Sequence, residues 1–177
     1  MAALVDCMDA FLAGITRVSP GLIRTDADEV TYDFHVMVRV EIEAALLDGS
    51  LAARDLPEVW RDHMRANLGL EVPNDREGCL QDAHWAAGLV GSFCTYTIGN
   101  IMAAQLFEAA CGSSPQIRAA LAEGDVGRLS SWLRQAVWRH GRRFHRNELL
   151  TQATGGILEL TPYLRHLSRR YLEPTAS

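Results

Sequence analysis

Apolar side chains recur at helical spacing along most of the chain, in segments bounded by residues that begin or end helices. Four such segments have a proline or a capping residue at the start, and three have a glycine at the end: 55–69, 113–124, 125–141 and 161–171. Residues 100–111 are dense in Ala, Met, Leu and Phe and predict a further helix in the core. The pattern predicts an all-α fold.

One segment fits two patterns. In residues 35–42, β-branched residues alternate with other side chains, which is typical of a strand. The same segment also places apolar residues on one helical face: Phe34, Val38, Ile42, Ala45 and Leu46. Because the run is longer than a typical strand, we favour a helix that ends before Gly49.

Composition changes the picture in two ways. With 177 residues, 48% hydrophobic and 22% charged, the chain predicts one helical domain over 1–172 and a short tail at 173–177. The net charge is −5, which argues against nucleic acid as a partner, although 139–146 is locally basic. All 17 basic residues are arginine, so a catalytic lysine is excluded.

Cellular location is indicated by the cysteines and by the apolar segments. The four cysteines, Cys7, Cys79, Cys94 and Cys111, are far apart and form no C-x-x-C pair, so we expect buried, reduced thiols in a cytoplasmic protein. The N-terminus lacks the pattern of a signal peptide. Residues 83–107 contain no Asp, Glu or Arg, but their glycines and polar side chains favour a buried loop and helix over a membrane span.

Common catalytic motifs are absent from the sequence. It has no His-Glu-x-x-His zinc pair, no G-x-S-x-G nucleophile and no glycine-rich phosphate loop. Two polar segments remain. Arg24 precedes a helix start, where a cation is unfavourable and needs a carboxylate from the protein or from a ligand. Residues 78–85 place Gln81, Asp82, His84 and Trp85 among apolar neighbours, as a structural network, which we favour, or as the wall of a cleft.

These two segments carry a family resemblance. Ile23-Arg24-x-x-Ala27-Asp28 and Gly78-x-x-Gln81-Asp82-x-His84-Trp85 resemble two motifs from the C-terminal part of the thermostable carboxypeptidase (carboxypeptidase Taq) family of zinc metallopeptidases. The flanking sequence agrees in order and spacing over nearly the whole chain, including 27–32, 44–49, 95–100, 105–110 and 140–144. The resemblance implies an irregular multi-helix array like the C-terminal third of such an enzyme.

The resemblance also implies an activity. Members of this family are cytoplasmic, often dimeric enzymes that remove single residues from peptide C-termini with a zinc or cobalt ion. Their zinc ligands lie upstream of the Arg24 motif, so we expect this chain to hold no metal, to be inactive alone, and to form a homo-oligomer or to need an N-terminal catalytic piece. The alternative is a non-catalytic helical module that binds peptide C-termini or a partner subunit.

Site residues are assigned from the matched positions. The resemblance implies that Arg24 binds the terminal carboxylate of the peptide, and that His84 and Tyr96 are catalytic donors, His84 also contacting substrate. It implies supporting roles for Gln81, Asp82 and Asp28. Where the family usually has Gly-Tyr-Phe-Pro-Thr-Tyr, this chain has Gly91-Ser92-Phe93-Cys94-Thr95-Tyr96, and so lacks one tyrosine that could contact substrate.

Overall fold

Helices make up most of the computed structural model, which describes residues 10–172. After a helical segment at 10–15, these residues form seven α-helices: α1 (Glu29–Asp48), α2 (Leu56–Leu68), α3 (Cys94–Ser113), α4 (Gln116–Ala122), α5 (Gly127–Ala136), α6 (Arg146–Thr154) and α7 (Thr161–Tyr171). Short 3-10 helices lie at Arg24–Asp26, Ala53–Asp55 and Trp138–His140. No strand occurs in the described residues, and the predicted all-α fold is confirmed.

The segment with two possible patterns is helical. Within α1 the buried residues are Thr31, His35, Val36, Val38, Arg39, Ile42 and Glu43, a spacing that places them on one side of a helix. Asp28 caps the N-terminus of this helix, and its carboxylate accepts hydrogen bonds from the backbone N–H of Val30 and Thr31. Gly49 caps the C-terminus in a left-handed conformation with φ 80°.

Three predicted details differ in the structure. The helix expected over 125–141 ends at Ala136 and continues only as the 3-10 helix Trp138–His140. Helix α6 was not predicted, although Glu148 accepts from the His145 backbone N–H at 2.9 Å, as in a capping box. Residues 83–107 do form a loop and a helix, but residues 86–91 are exposed rather than buried.

The structure also bears on the predictions of buried thiols and of no membrane span. Cys79, Cys94 and Cys111 are free; Cys79 and Cys111 are buried, whereas Cys94 is half-buried and so departs from the expectation. Cys7 lies outside the described residues. No helix within residues 10–172 has the length and apolar character needed to cross a membrane.

The chain divides into two compact units, Met1–Thr97 and Ile98–Ser177. In the first, α1 packs against α2 around a core that contains Val38, Ile42, Trp60, Met64, Val72 and Cys79. In the second, Ala110, Cys111 and Ile117 form a smaller cluster with Phe107, Leu121, Leu129 and Trp132. The single domain over 1–172 stays a prediction, and the predicted tail at 173–177 lies outside the described residues.

A buried amide holds the second unit together. Gln105 of α3 is 8% exposed, and its side chain donates to the Ile157 carbonyl at 2.7 Å and accepts from the Glu159 N–H at 3.0 Å. It therefore fixes the loop between α6 and α7 through two hydrogen bonds to the loop backbone.

Replacing this amide should weaken the second unit. We expect Gln105→Ala to lower the free energy of unfolding by about 1–3 kcal/mol, because it removes two hydrogen bonds that hold this loop to α3. Urea unfolding followed by circular dichroism measures this loss. The matched control is Gln152→Ala in α6, which removes an exposed amide. Equal unfolding midpoints for the two variants would contradict the assigned role.

Candidate functional site

The segment 78–85 is held against the rest of the first unit at Gly78 and at Gln81. Gly78 lies so close to its neighbours that an added Cβ would come within 3.0 Å of Val72 and 3.4 Å of Trp60. Gln81 then accepts from the Arg24 backbone N–H at 2.9 Å and donates to the Leu22 carbonyl at 3.0 Å. These bonds attach the segment to the chain around Arg24, 57 residues earlier in the sequence.

Asp82 lies between two arginines. Its Oδ1 accepts from Arg24 Nε at 3.0 Å and Nη2 at 2.8 Å, and its Oδ2 accepts from Arg39 Nε at 2.6 Å. Burial alone would raise the pKa of Asp82, but the Arg24 hydrogen bonds and the Arg39 charge outweigh it and hold the pKa below its ordinary value. Asp82 is thus ionised at neutral pH, and the three residues together carry one net positive charge.

Arg24 keeps donor capacity within this network. Besides its bonds to Asp82, its Nη1 donates to the Tyr32 hydroxyl at 2.9 Å. Since a guanidinium has five N–H groups, one N–H on each terminal nitrogen has no acceptor among residues 10–172. The guanidinium carbon also lies 5.5 Å from the ring centre of Phe93 and 5.1 Å from that of Tyr96. Arg24 is therefore a buried cation, 6% exposed, held among aromatic rings with two donors left.

His84 and Tyr96 form a pair at the more exposed edge of the site. The Nε2 of His84 lies 2.9 Å from the Tyr96 hydroxyl, and Tyr96 is 39% exposed. The His84 Nδ1 lies 3.8 Å from Asp82 Oδ1, which is beyond hydrogen-bond distance. The His84 ring packs against Phe93 at 4.4 Å between centres. The phenol and the imidazole are thus held together beside Arg24.

Two buried residues of α1 complete the network and were not predicted from the sequence. Arg39 is fully buried, packs over the Trp60 ring at 4.7 Å, and donates to the His35 carbonyl at 2.8 Å. Burial lowers the pKa of Arg39 to about 10, and burial with the Arg39 charge lowers the pKa of His35 to about 4. At neutral pH Arg39 is charged and His35 is neutral. In the sequence, the feature that indicates a buried role for Arg39 is its place on the apolar face of α1.

The structure thus brings four of the predicted site residues together: Arg24, Asp82, His84 and Tyr96. It places the other two differently. Gln81 binds backbone groups near Arg24 rather than His84, and Asp28 caps α1 while accepting from the Ser19 N–H at 2.9 Å. The network interpretation of 78–85 fits this geometry. The catalytic and substrate-binding roles stay predictions.

Metal ligands are a separate question. Among residues 10–172, no group of three or more His, Cys, Asp and Glu side chains is placed to hold a metal ion. The described residues therefore do not fit a resident metal. The chemistry that they can perform is hydrogen bonding and charge pairing by the arginines, the imidazole and the phenol.

Known proteins share this sequence and this fold. Residues 3–171 match the model of the carboxypeptidase Taq (M32) metallopeptidases. The chain belongs to this M32 family. Over 93% of this chain, the sequence is 38% identical to thermostable carboxypeptidase 1 of Thermus thermophilus. The structure of an M32 carboxypeptidase from Deinococcus radiodurans matches 90% of this chain with 48% identity and a TM-score of 0.87. Metallocarboxypeptidase 1 of Trypanosoma cruzi matches at 45% identity with a TM-score of 0.86.

The match confirms the predicted family and its helical architecture. The chain spans about a third of these relatives, 32% of the Thermus and Deinococcus proteins and 34% of the Trypanosoma protein. The M32 segment present here includes both sequence motifs, and the structure joins them through the Arg24–Asp82 ion pair.

Asp82 should be a large contributor to stability. Asp82→Asn leaves two buried arginines without their carboxylate, so we expect a loss of about 3–5 kcal/mol at pH 7. Because the folded pKa is lowered, the carboxylate stabilises the fold fully above the unfolded pKa of about 4 and less as the pH falls below it. The difference between wild type and variant, measured by urea unfolding, should therefore shrink below about pH 4.

The control for this prediction is Asp62→Asn. Asp62 pairs with Arg65 where both side chains are more than half exposed, so its loss should be below about 1 kcal/mol. A loss for Asp82→Asn that is as small as the control, or that stays constant from pH 7 to pH 3, would contradict the role assigned to the ion pairs.

Proposed function

We propose that this chain forms the wall of an M32 metallocarboxypeptidase site that holds the free C-terminus of a peptide. One observation carries the proposal: a cluster with one excess positive charge and two unused Arg24 donors lies beside the His84–Tyr96 pair. Its place in the M32 family supports release of single C-terminal residues as the reaction of the complete site.

Arg24 is the carboxylate-binding group in this proposal. A free N–H on each terminal nitrogen suits a carboxylate, which accepts two parallel hydrogen bonds from a guanidinium. Burial strengthens this attraction because less water screens the charges. A peptide amide, which has no negative charge, would gain much less, and this explains a preference for free C-termini.

His84 and Tyr96 supply polar hydrogens next to that carboxylate site. If His84 Nε2–H donates to the Tyr96 oxygen, the phenol keeps its own O–H for an oxygen of the substrate. A donor held in place before the reaction stabilises the negative charge that develops on the carbonyl oxygen during hydrolysis. We assign this role to Tyr96, with His84 orienting it and contacting substrate.

Metal chemistry comes from outside the described residues in this proposal. In the complete site a zinc or cobalt ion would activate the attacking water, with ligands from polypeptide beyond this sequence. The chain alone should then bind peptides without cutting them. We further propose a cytoplasmic location and self-association.

Peptide binding tests the recognition role. The purified chain should bind acetyl-Ala-Ala-Phe more tightly than its C-terminal amide by about tenfold, because Arg24 contributes a charge-assisted bidentate contact. Calorimetric titration measures both affinities. Arg24→Met should abolish the preference, whereas Arg65→Met, which removes an exposed arginine paired with Glu71, should leave it unchanged. Equal affinity of the wild-type chain for acid and amide would contradict the proposal.

Catalysis is tested in a chimera. The chain replaces the matching third of the Deinococcus M32 carboxypeptidase, and release of C-terminal residues is measured. We expect an active, metal-dependent enzyme in which Tyr96→Phe and His84→Ala lower kcat/KM by about 10²-fold, as expected for loss of a charge-stabilising donor.

The control in the chimera is His63→Ala, since His63 pairs with Glu41 and has no contact with the site. Near-equal kinetics for all three variants would remove His84 and Tyr96 from the reaction. Binding by the chain together with an inactive chimera would favour the alternative, a module that recognises peptide C-termini without cutting them.

A further inference from the structure

Arg39 is the buried charge that the proposed reaction does not use. It is 0% exposed, and its hydrogen-bond acceptors are Asp82 and the His35 carbonyl. None of the residues proposed to contact substrate is among these acceptors. Burying an arginine is unfavourable, which the lowering of its pKa to about 10 reflects. A neutral residue could fill the same space over Trp60 without that penalty, so the charge itself requires an explanation.

The explanation lies in how Asp82 divides its oxygens. Arg24 Nε and Nη2 both donate to Oδ1, while Arg39 donates to Oδ2. Without Arg39, Asp82 would be free to offer both oxygens to Arg24 in a bidentate pair, and the pair would be neutral. With Arg39 present, Asp82 serves as counter-ion to two cations, and one positive charge remains for a ligand.

Neighbouring ionisable groups do not cancel this charge through contacts to Arg39. His35 is neutral at pH 7 because its pKa is lowered to about 4. Glu43, one turn further along α1, accepts from Trp85 Nε1 at 2.8 Å. Among residues 10–172, Asp82 is the one carboxylate hydrogen-bonded to Arg24 or Arg39, so this group of three residues has one excess positive charge.

We propose that Arg39 is a positioning residue which takes up the charge of Asp82, so that Arg24 remains an effective cation for the free carboxylate of a peptide. This inference rests on the proposed function. The anion preference of the site is then a property of three residues. Asp82 fixes the position of Arg24, and Arg39 offsets the negative charge of Asp82.

The test measures binding of acetyl-Ala-Ala-Phe and of its amide to the full chain carrying substitutions at 39 and 82. Arg39→Met keeps an apolar stem over Trp60 and removes the charge, so the preference for the acid should fall about tenfold. Arg39→Lys keeps the charge and should retain most of the preference. Arg39→Met with Asp82→Asn returns the cluster to one positive charge, and an Asn oxygen still accepts from Arg24, so the preference should recover.

A role in folding alone predicts a different result. It predicts that adding Asp82→Asn to Arg39→Met lowers the stability of the chain further. It also predicts that the affinities for the acid and for the amide fall equally. Circular dichroism and thermal unfolding identify the folded variants, with Arg65→Met as the control for loss of one positive charge. If Arg39→Met does not fold, Arg39→Lys decides, because loss of the preference in that folded variant overturns the inference.

The outcomes separate the two proposals. A wild-type chain with equal affinity for acid and amide overturns the proposed function and this inference with it. A wild-type preference that Arg39→Met retains, or that the double variant does not recover, overturns the inference alone.

Discussion

Two arginines share the carboxylate of Asp82, and this interaction connects the parts of the first unit. Arg24 comes from the segment before α1, Arg39 from the middle of α1, and Asp82 from the loop before α3. The three are 6%, 0% and 9% exposed, counting the side chain alone for Asp82, so each charge depends on the others for compensation. Removing one would leave a buried charge without a partner, which is among the most destabilising changes in a protein.

In the proposed function, the same interaction determines what the site would bind. One carboxylate and one arginine have no net charge together, whereas one carboxylate between two arginines leaves a net charge of one positive unit. Aromatic rings around Arg24 keep water from screening that charge, while Tyr96 and His84 stand at the edge that solvent reaches. The arrangement separates a buried cation from exposed donors, which suits a ligand that ends in a carboxylate and carries a carbonyl close behind it.

In the proposed function, peptide recognition and metal chemistry belong to different parts of the enzyme. The chain spans about a third of the relatives that it matches and superimposes on them with TM-scores of 0.86–0.87. Its described residues complete the arginine–carboxylate network by themselves, yet none of their His, Cys, Asp and Glu side chains cluster as metal ligands. In the proposed function, binding of the peptide end would depend on contacts internal to the first unit, and cleavage would depend on groups supplied elsewhere.

Local chemistry in the sequence determined the helices and the family. Proline, capping and glycine signals predicted α2, α4 and α7 because they act within one or two turns, and the motifs around Arg24 and His84 identified the M32 family. The tertiary structure alone showed that Arg39 joins Asp82 and that Gln81 binds the backbone at Arg24 rather than His84. These contacts join residues 43 and 57 positions apart, and no periodic pattern encodes which buried polar groups will meet.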